Sequence, residues 1–180
     1  MESRKKIYII LTYTGTLLSR MIKMYTKAEY SHVSISLEKN LNKMYSFGRL
    51  NPYNPFIGGF VQEGLDIGTF KRFKKTKAEI YSIEVTSKQF NDLKKVLKEI
   101  EKNKTIYRFN TLGIFAAAFN IKLKRENCFY CAEFIKHLIE STDANISLPE
   151  LIKPIDFKYL DNIELVYRGV LRNYKKIKEI

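Results

Sequence analysis

Two side chains far apart in the chain are best suited to chemistry, His32 and Cys131. His32 lies in Ser31-His32-Val33-Ser34-Ile35-Ser36-Leu37, where polar and apolar residues alternate as in a half-buried strand. Cys131 lies in Asn127-Cys128-Phe129-Tyr130-Cys131-Ala132-Glu133-Phe134-Ile135-Lys136-His137-Leu138, which has the pattern of a helix starting near the cysteine. A thiol at a helix N-terminus facing an imidazole on a strand is a nucleophile at neutral pH, because the helix dipole and an imidazolium both favour thiolate.

Positions 131, 134, 135 and 138 fall on one helix face, so Cys131 points inward beside Phe134, Ile135 and Leu138. A structural cysteine is often buried in the same way. A helix start differs from other buried sites because its unpaired backbone N–H groups favour an anion. His137 is turned away from Cys131 on the same helix and is placed to contact Glu133 one turn earlier. His32 is therefore the partner expected for the thiol. Cys128 and Cys131 also form a Cys-x-x-Cys, a spacing used for redox and for zinc. The chain lacks the strand and tryptophan context of a thioredoxin-like site, and it has only these two cysteines and two histidines. No metal and no cofactor are expected. Glycine-rich phosphate-binding motifs are missing too, which disfavours nucleotide chemistry.

The elements that must carry these residues follow from periodicity. Strands are expected at Lys6 to Leu11, Ser31 to Leu37 and Lys43 to Phe47, the last two forming a hairpin across Glu38 to Asn42. Phe60 to Gln62 reads as a short strand, and Ala78 to Val85 and Ile163 to Tyr167 as clearer ones. Helices are expected at Thr16 to Lys27, at Ser87 to Lys102 with capping-box spacing between Thr86 and Gln89, and at Cys128 to Glu140. Leu112 to Phe119 reads as a short buried helix. Asn51 to Gly59, rich in Pro, Gly and Asn, reads as a loop. Separate helices and antiparallel strands make the fold class α+β, in a single domain over 1–180.

The chain has 180 residues, 45% apolar and 13% aromatic, enough for one full hydrophobic core. Its net charge of +13 suits anionic partners, such as an anionic membrane surface or a wall polymer. The basic clusters lack the interleaved aromatics of single-strand binders, so no specific nucleic-acid partner is expected. Two cysteines give no disulfide framework, and Ile7 to Leu11 is too short for a signal peptide. A cytoplasmic location, with at most peripheral membrane contact, is the expectation.

Several stretches together resemble the circularly permuted papain-like proteins of the NlpC superfamily, in the YiiX/YycO-like branch. Tyr30-Ser31-His32-Val33-Ser34-Ile35 resembles the histidine strand of that group, which precedes the cysteine in the permuted order. Tyr130-Cys131-Ala132-Glu133-Phe134-Ile135 resembles its nucleophile motif. Pro154-Ile155-Asp156-Phe157, followed by Val166-Tyr167-Arg168-Gly169, is similar to its C-terminal ending. The lecithin:retinol acyltransferase-like proteins share the order and are close cousins.

The resemblance implies an antiparallel sheet or partial barrel packed on the helix that carries Cys131. It implies Cys131 as nucleophile, His32 as general base and then acid, and backbone N–H groups at the helix start as the oxyanion site. A third polar residue would orient the histidine. Hairpin spacing brings Ser46 and Phe47 opposite His32 and makes Ser46 the first candidate, with Glu63 the alternative if its loop folds back. Tyr13 at the end of the first strand, Tyr53 in the 51–59 loop and Tyr130 beside the cysteine are candidate substrate contacts. The 51–59 loop either faces substrate or packs on itself.

The function expected is hydrolysis of an amide, peptide or ester acyl group through a thioester on Cys131. Two alternatives stay open: a lipid acyltransferase or deacylase working on lipid esters at an anionic membrane, and a catalytically silent binding module on the same fold.

Overall fold

The computed structural model describes residues 3–144 and 146–179 of the protein. Its framework is a six-stranded sheet in the order β4-β3-β2-β1-β5-β8, antiparallel at every pairing. The strands are β1 (Arg4–Tyr13), β2 (His32–Ser36), β3 (Met44–Asn51), β4 (Asn54–Glu63), β5 (Lys77–Thr86) and β8 (Ile163–Val170). A parallel pair, β6 (Arg108–Phe109) and β7 (Cys128–Phe129), stands apart from it. The helices are α1 (Leu17–Thr26), α2 (Gly68–Arg72), α3 (Ser87–Lys102), α4 (Thr111–Ala118) and α5 (Cys131–Glu140). Two 3₁₀ helices cover Pro154–Tyr159 and Leu171–Glu179. The architecture is α+β, as the pattern of elements led us to expect.

The apolar run of β1 has two faces to cover. Ile7, Ile9 and Leu11 enter one core with Val33, Ile35 and Phe47, while Tyr8 and Ile10 enter a second with Met44 and Ile80. A strand buried on both sides reads as continuous rather than alternating hydrophobicity. α3 and α5 close the first face through Leu93, Leu97, Phe134, Ile135 and Leu138. Phe70 of α2 with Leu171 and Tyr174 close the second. Full burial of each such large side chain contributes about 1.5–3 kcal/mol. α3 begins where its capping box requires: Thr86 Oγ1 accepts the Gln89 N–H at 3.2 Å, and Gln89 Oε1 accepts the Thr86 N–H at 2.8 Å.

Three expectations are corrected. Asn51 to Gly59 is not a long loop. β3 runs to Asn51, β4 starts at Asn54, and only Pro52 and Tyr53 turn between them. The helix over Leu112 to Phe119 exists as α4 but is buried on one side only: Ala117 is buried, while Leu112 is 58% exposed and Phe119, just past its end, 66%. An all-apolar sequence carries no signal of which face is outside, so it reads as core. The helix at Cys128 instead begins at Cys131, after the short strand β7. Among the described residues, no helix is long and apolar enough to cross a membrane.

Candidate active site

The β6–β7 pair delivers Cys131 to the start of α5. The Arg108 N–H donates to the Asn127 carbonyl and the Asn110 N–H to the Phe129 carbonyl, each at 2.9 Å, so the chain reaches Tyr130 in a fixed direction. Asn110 is fully buried and ties three segments together. Its Oδ1 accepts the Gly113 N–H at 3.0 Å, and its Nδ2 donates to the Leu123 carbonyl at 3.1 Å and to Glu133 Oε2 at 3.3 Å. Gly113 has to be glycine, because a Cβ there would collide with the Asn110 side chain. Glu133 also accepts the Tyr130 N–H at 3.1 Å. Burial raises the Glu133 pKa, against the opposing pull of these two hydrogen bonds and of the Lys122 charge. The N-cap N–H is thus occupied, while helix geometry leaves those of Cys131 and Ala132 without intrahelical acceptors.

The alternation of β2 sends Val33 and Ile35 into the core under α5, and His32, Ser34 and Ser36 to the other face. His32 is the first residue of β2, and β2 is registered with β3 only at Ile35↔Tyr45. At this open end the ring has room beside Gly48, whose Cβ, if present, would meet His32 Cε1 at 3.4 Å. His32 Nε2 lies 3.2 Å from both carboxylate oxygens of Glu63, the last residue of β4. Ser34 Oγ donates to Glu63 Oε2 at 2.5 Å and lies 3.3 Å from Nε2. The Glu63 side chain is 9% exposed and that of His32 20%.

Burial alone would push the His32 pKa down. The Glu63 charge, hydrogen bonds to Cys131 and Glu63, and the Cys131 charge outweigh it and raise the ring to about 10. The imidazole is thus held by Glu63 and Ser34 through Nε2, and the ring shares its cavity with Cys131.

His32, Glu63 and Cys131 line one cavity of about 470 Å³. Its walls are largely aromatic and aliphatic, including Phe47, Phe70 and Phe109. Phe70 packs on the histidine with ring centroids 6.4 Å apart. Tyr53 lines the cavity at the hairpin tip.

The other candidates lie elsewhere. Ser46 is fully buried and donates to the Val33 carbonyl at 2.7 Å, so it ties β3 to β2 and does not reach His32. The register Ile35↔Tyr45 puts Gly48, not Ser46, beside the ring, and the orienting position belongs to Glu63. Tyr130 is buried, with its hydroxyl donating to the Ile152 carbonyl at 2.8 Å, so it supports the helix start without facing the cavity. Tyr13 is outside the cavity lining and sits under the Lys23 ammonium, 4.9 Å from its ring centroid. His137 stacks on Phe129 at 5.2 Å instead of meeting Glu133. Among the described residues, no group of three histidine, cysteine or acidic side chains is arranged to hold a metal.

Sequence reasoning missed Ser34 and the cavity residues Arg49 and Arg72. Ser34 had a signal, since two residues along a strand returns to the same face as His32. Arg49 lay past the expected end of its strand at Phe47, and Arg72 lies on α2, which escaped notice.

Compared with known proteins, the chain matches no family model, no curated protein and no solved structure.

Proposed function

We propose that the protein is a cysteine-dependent hydrolase of the permuted papain-like type, cutting an amide, peptide or ester acyl group through a thioester on Cys131. One observation carries this reading: His32, with its Nε2 held by the Glu63 carboxylate, lines the same cavity as Cys131 at the start of α5.

In the first half-reaction His32, kept protonated at neutral pH by its raised pKa, stands as the imidazolium beside Cys131, and Sγ attacks the acyl carbon as the thiolate. The tetrahedral oxyanion is held by the N–H groups of Cys131 and Ala132, aided by the positive end of the α5 dipole. Collapse breaks the bond to the leaving nitrogen or oxygen, which takes the proton from His32. Part of what retains that proton is Cys131 itself. Acylation of Sγ removes that contribution, so the ring becomes a stronger acid at the step that needs one. In the second half-reaction His32 takes a proton from water, hydroxide attacks the thioester, and the acid leaves as Sγ returns to the thiolate. Glu63 is a positioning residue throughout, fixing the ring and balancing the imidazolium charge.

Alkylation of Cys131 by iodoacetamide tests the reading. The wild type labels rapidly at pH 7, and His32→Ala slows it by about 10²–10⁴-fold, the range for losing a general base. Slow labelling that ignores His32 rejects the hydrolase and leaves a binding module.

A second reading, lipid-ester cleavage or acyl transfer at an anionic membrane, is favoured by α4. Its exposed Leu112 and Phe115 and the following Phe119 lie next in sequence to exposed Lys122, Lys124 and Arg125. Co-sedimentation with phosphatidylserine vesicles that fades as salt rises, and that Phe115→Ser weakens, is its expected outcome.

A further inference from the structure

The cavity holds two cations that the acyl-transfer chemistry does not use. Arg49, half-buried on β3, donates from one terminal nitrogen to Thr16 Oγ1 at 2.7 Å. Arg72, at the end of α2, donates to the Pro52 carbonyl at 2.6 Å. Its guanidinium carbon lies 4.1 Å from the Tyr53 ring centroid and 5.0 Å from that of Phe73. Both groups are thus anchored by neutral partners. A guanidinium has five N–H donors, so most of the hydrogen-bonding capacity of each is not accounted for by these contacts.

Among the described residues, neither guanidinium forms an ion pair. Among the described residues lining the cavity, the sole carboxylate is Glu63, which His32 and Ser34 occupy. Burial, and after it the Arg72 charge, lower the Arg49 pKa, so the two guanidiniums repel one another across the space they share. Arg49 is half-buried and Arg72 exposed at the cavity mouth, so an anion placed between them would meet two guanidiniums, one of them partly desolvated. Thr69 lines the same cavity and adds a hydroxyl. Donors in excess and acceptors in deficit are the makings of an oxyanion site.

We propose that Arg49 and Arg72 form an oxyanion-binding subsite in the cavity of Cys131, selecting acyl substrates that also carry a carboxylate or phosphate group. This inference rests on Cys131 being the nucleophile of the proposed hydrolase. The apolar walls take the uncharged part of such a substrate, and the arginines fix its charged end, so the scissile carbonyl is placed by two contacts instead of one.

The test compares iodoacetate with iodoacetamide, an anion and its neutral counterpart, as alkylating agents for Cys131. The ratio of the two rates cancels differences in thiol reactivity between variants. In the double variant Arg49→Gln/Arg72→Gln the iodoacetate-to-iodoacetamide ratio is expected to fall about tenfold, as when a steering field is removed. High salt lowers the ratio in the wild type and has little effect in the variant. An unchanged ratio overturns the subsite, and so does an equal fall with both reagents, which would mean that the arginines only shape the cleft.

A binding measurement keeps the subsite testable apart from the chemistry. Inorganic phosphate or acetate is expected to raise the melting temperature of the wild type and not of the double variant. A larger effect of phosphate assigns phosphate-bearing substrates, and a larger effect of acetate assigns carboxylates. A shift that persists in the variant overturns the proposal. If Cys131 labels slowly with both reagents whatever occupies position 32, the hydrolase reading fails, and the phosphate arm still decides the subsite by itself.

Discussion

Glu63 and Glu79 are both buried carboxylates of the same sheet, and they are put to opposite uses. Glu79, on β5, has a fully buried side chain ringed by donors. Tyr81 donates its hydroxyl at 2.7 Å, Lys158 lies at 3.2 Å, and Arg168 Nε at 2.5 Å. Burial would raise the Glu79 pKa, but the Tyr81 hydrogen bond and the two cations outweigh it and lower it. Burial and the same carboxylate push the Tyr30 phenol up to about 12. Glu63 has a hydroxyl and a titratable imidazole instead of permanent cations, and it opens on a cavity. Two charges surrounded by saturated, non-exchanging partners make a strut. A charge whose partner can give up a proton beside a thiol is the arrangement that the proposed hydrolase requires.

The two should fail differently when disturbed. Glu79→Ala strips a buried acceptor from Tyr81 and leaves Lys158 without its acid, costing about 3 kcal/mol, the lower end for breaking a buried pair. Denaturant melts read that loss, while the iodoacetamide rate of the folded variant stays at the wild-type value. Glu63→Gln should do the reverse. Alkylation of Cys131 drops by about 10–100-fold, as when a group that orients a histidine is removed, with a smaller change in the melt. A Glu63→Gln protein that labels at full speed would make Glu63 a second strut.

The same variants separate along the pH axis. The folded His32 pKa is raised above its ordinary 6.5 to about 10, so its contribution to stability is complete below 6.5 and declines as pH rises toward 10. Glu63→Gln should flatten that alkaline decline. The Glu79 pKa is lowered, so its contribution is present above the ordinary 4.5 and is lost as pH falls through the folded value. Glu79→Ala should flatten the acid side alone. Melting temperatures taken across both windows check the assignment. Ser34→Ala should have the smallest effect, about 1 kcal/mol in the melt for one hydrogen bond, with a modest slowing of alkylation.

Much of this arrangement was legible in the sequence, for local reasons. Strand alternation around His32, the apolar stripe of α3 with its Thr86 cap, and the inward face shared by Cys131, Phe134 and Leu138 are properties of neighbouring residues. The partner of His32 was not local. Choosing between Ser46 and Glu63 needed the register of β2 on β3 and the length of β4, and Pro, Gly and Asn at 52–59 hid that strand as a loop. The packing of Asn110 into the notch of Gly113 joins residues close in sequence to Glu133 on another helix, and no periodicity announces such a contact.

The place of β4 in the sheet has a consequence of its own. The strand that presents Glu63 is the outermost of its sheet, and an outermost strand offers its amides to any passing chain. The carboxylate that supports the histidine is carried on that rim, so a strand added there by a second molecule would press directly on the histidine's support.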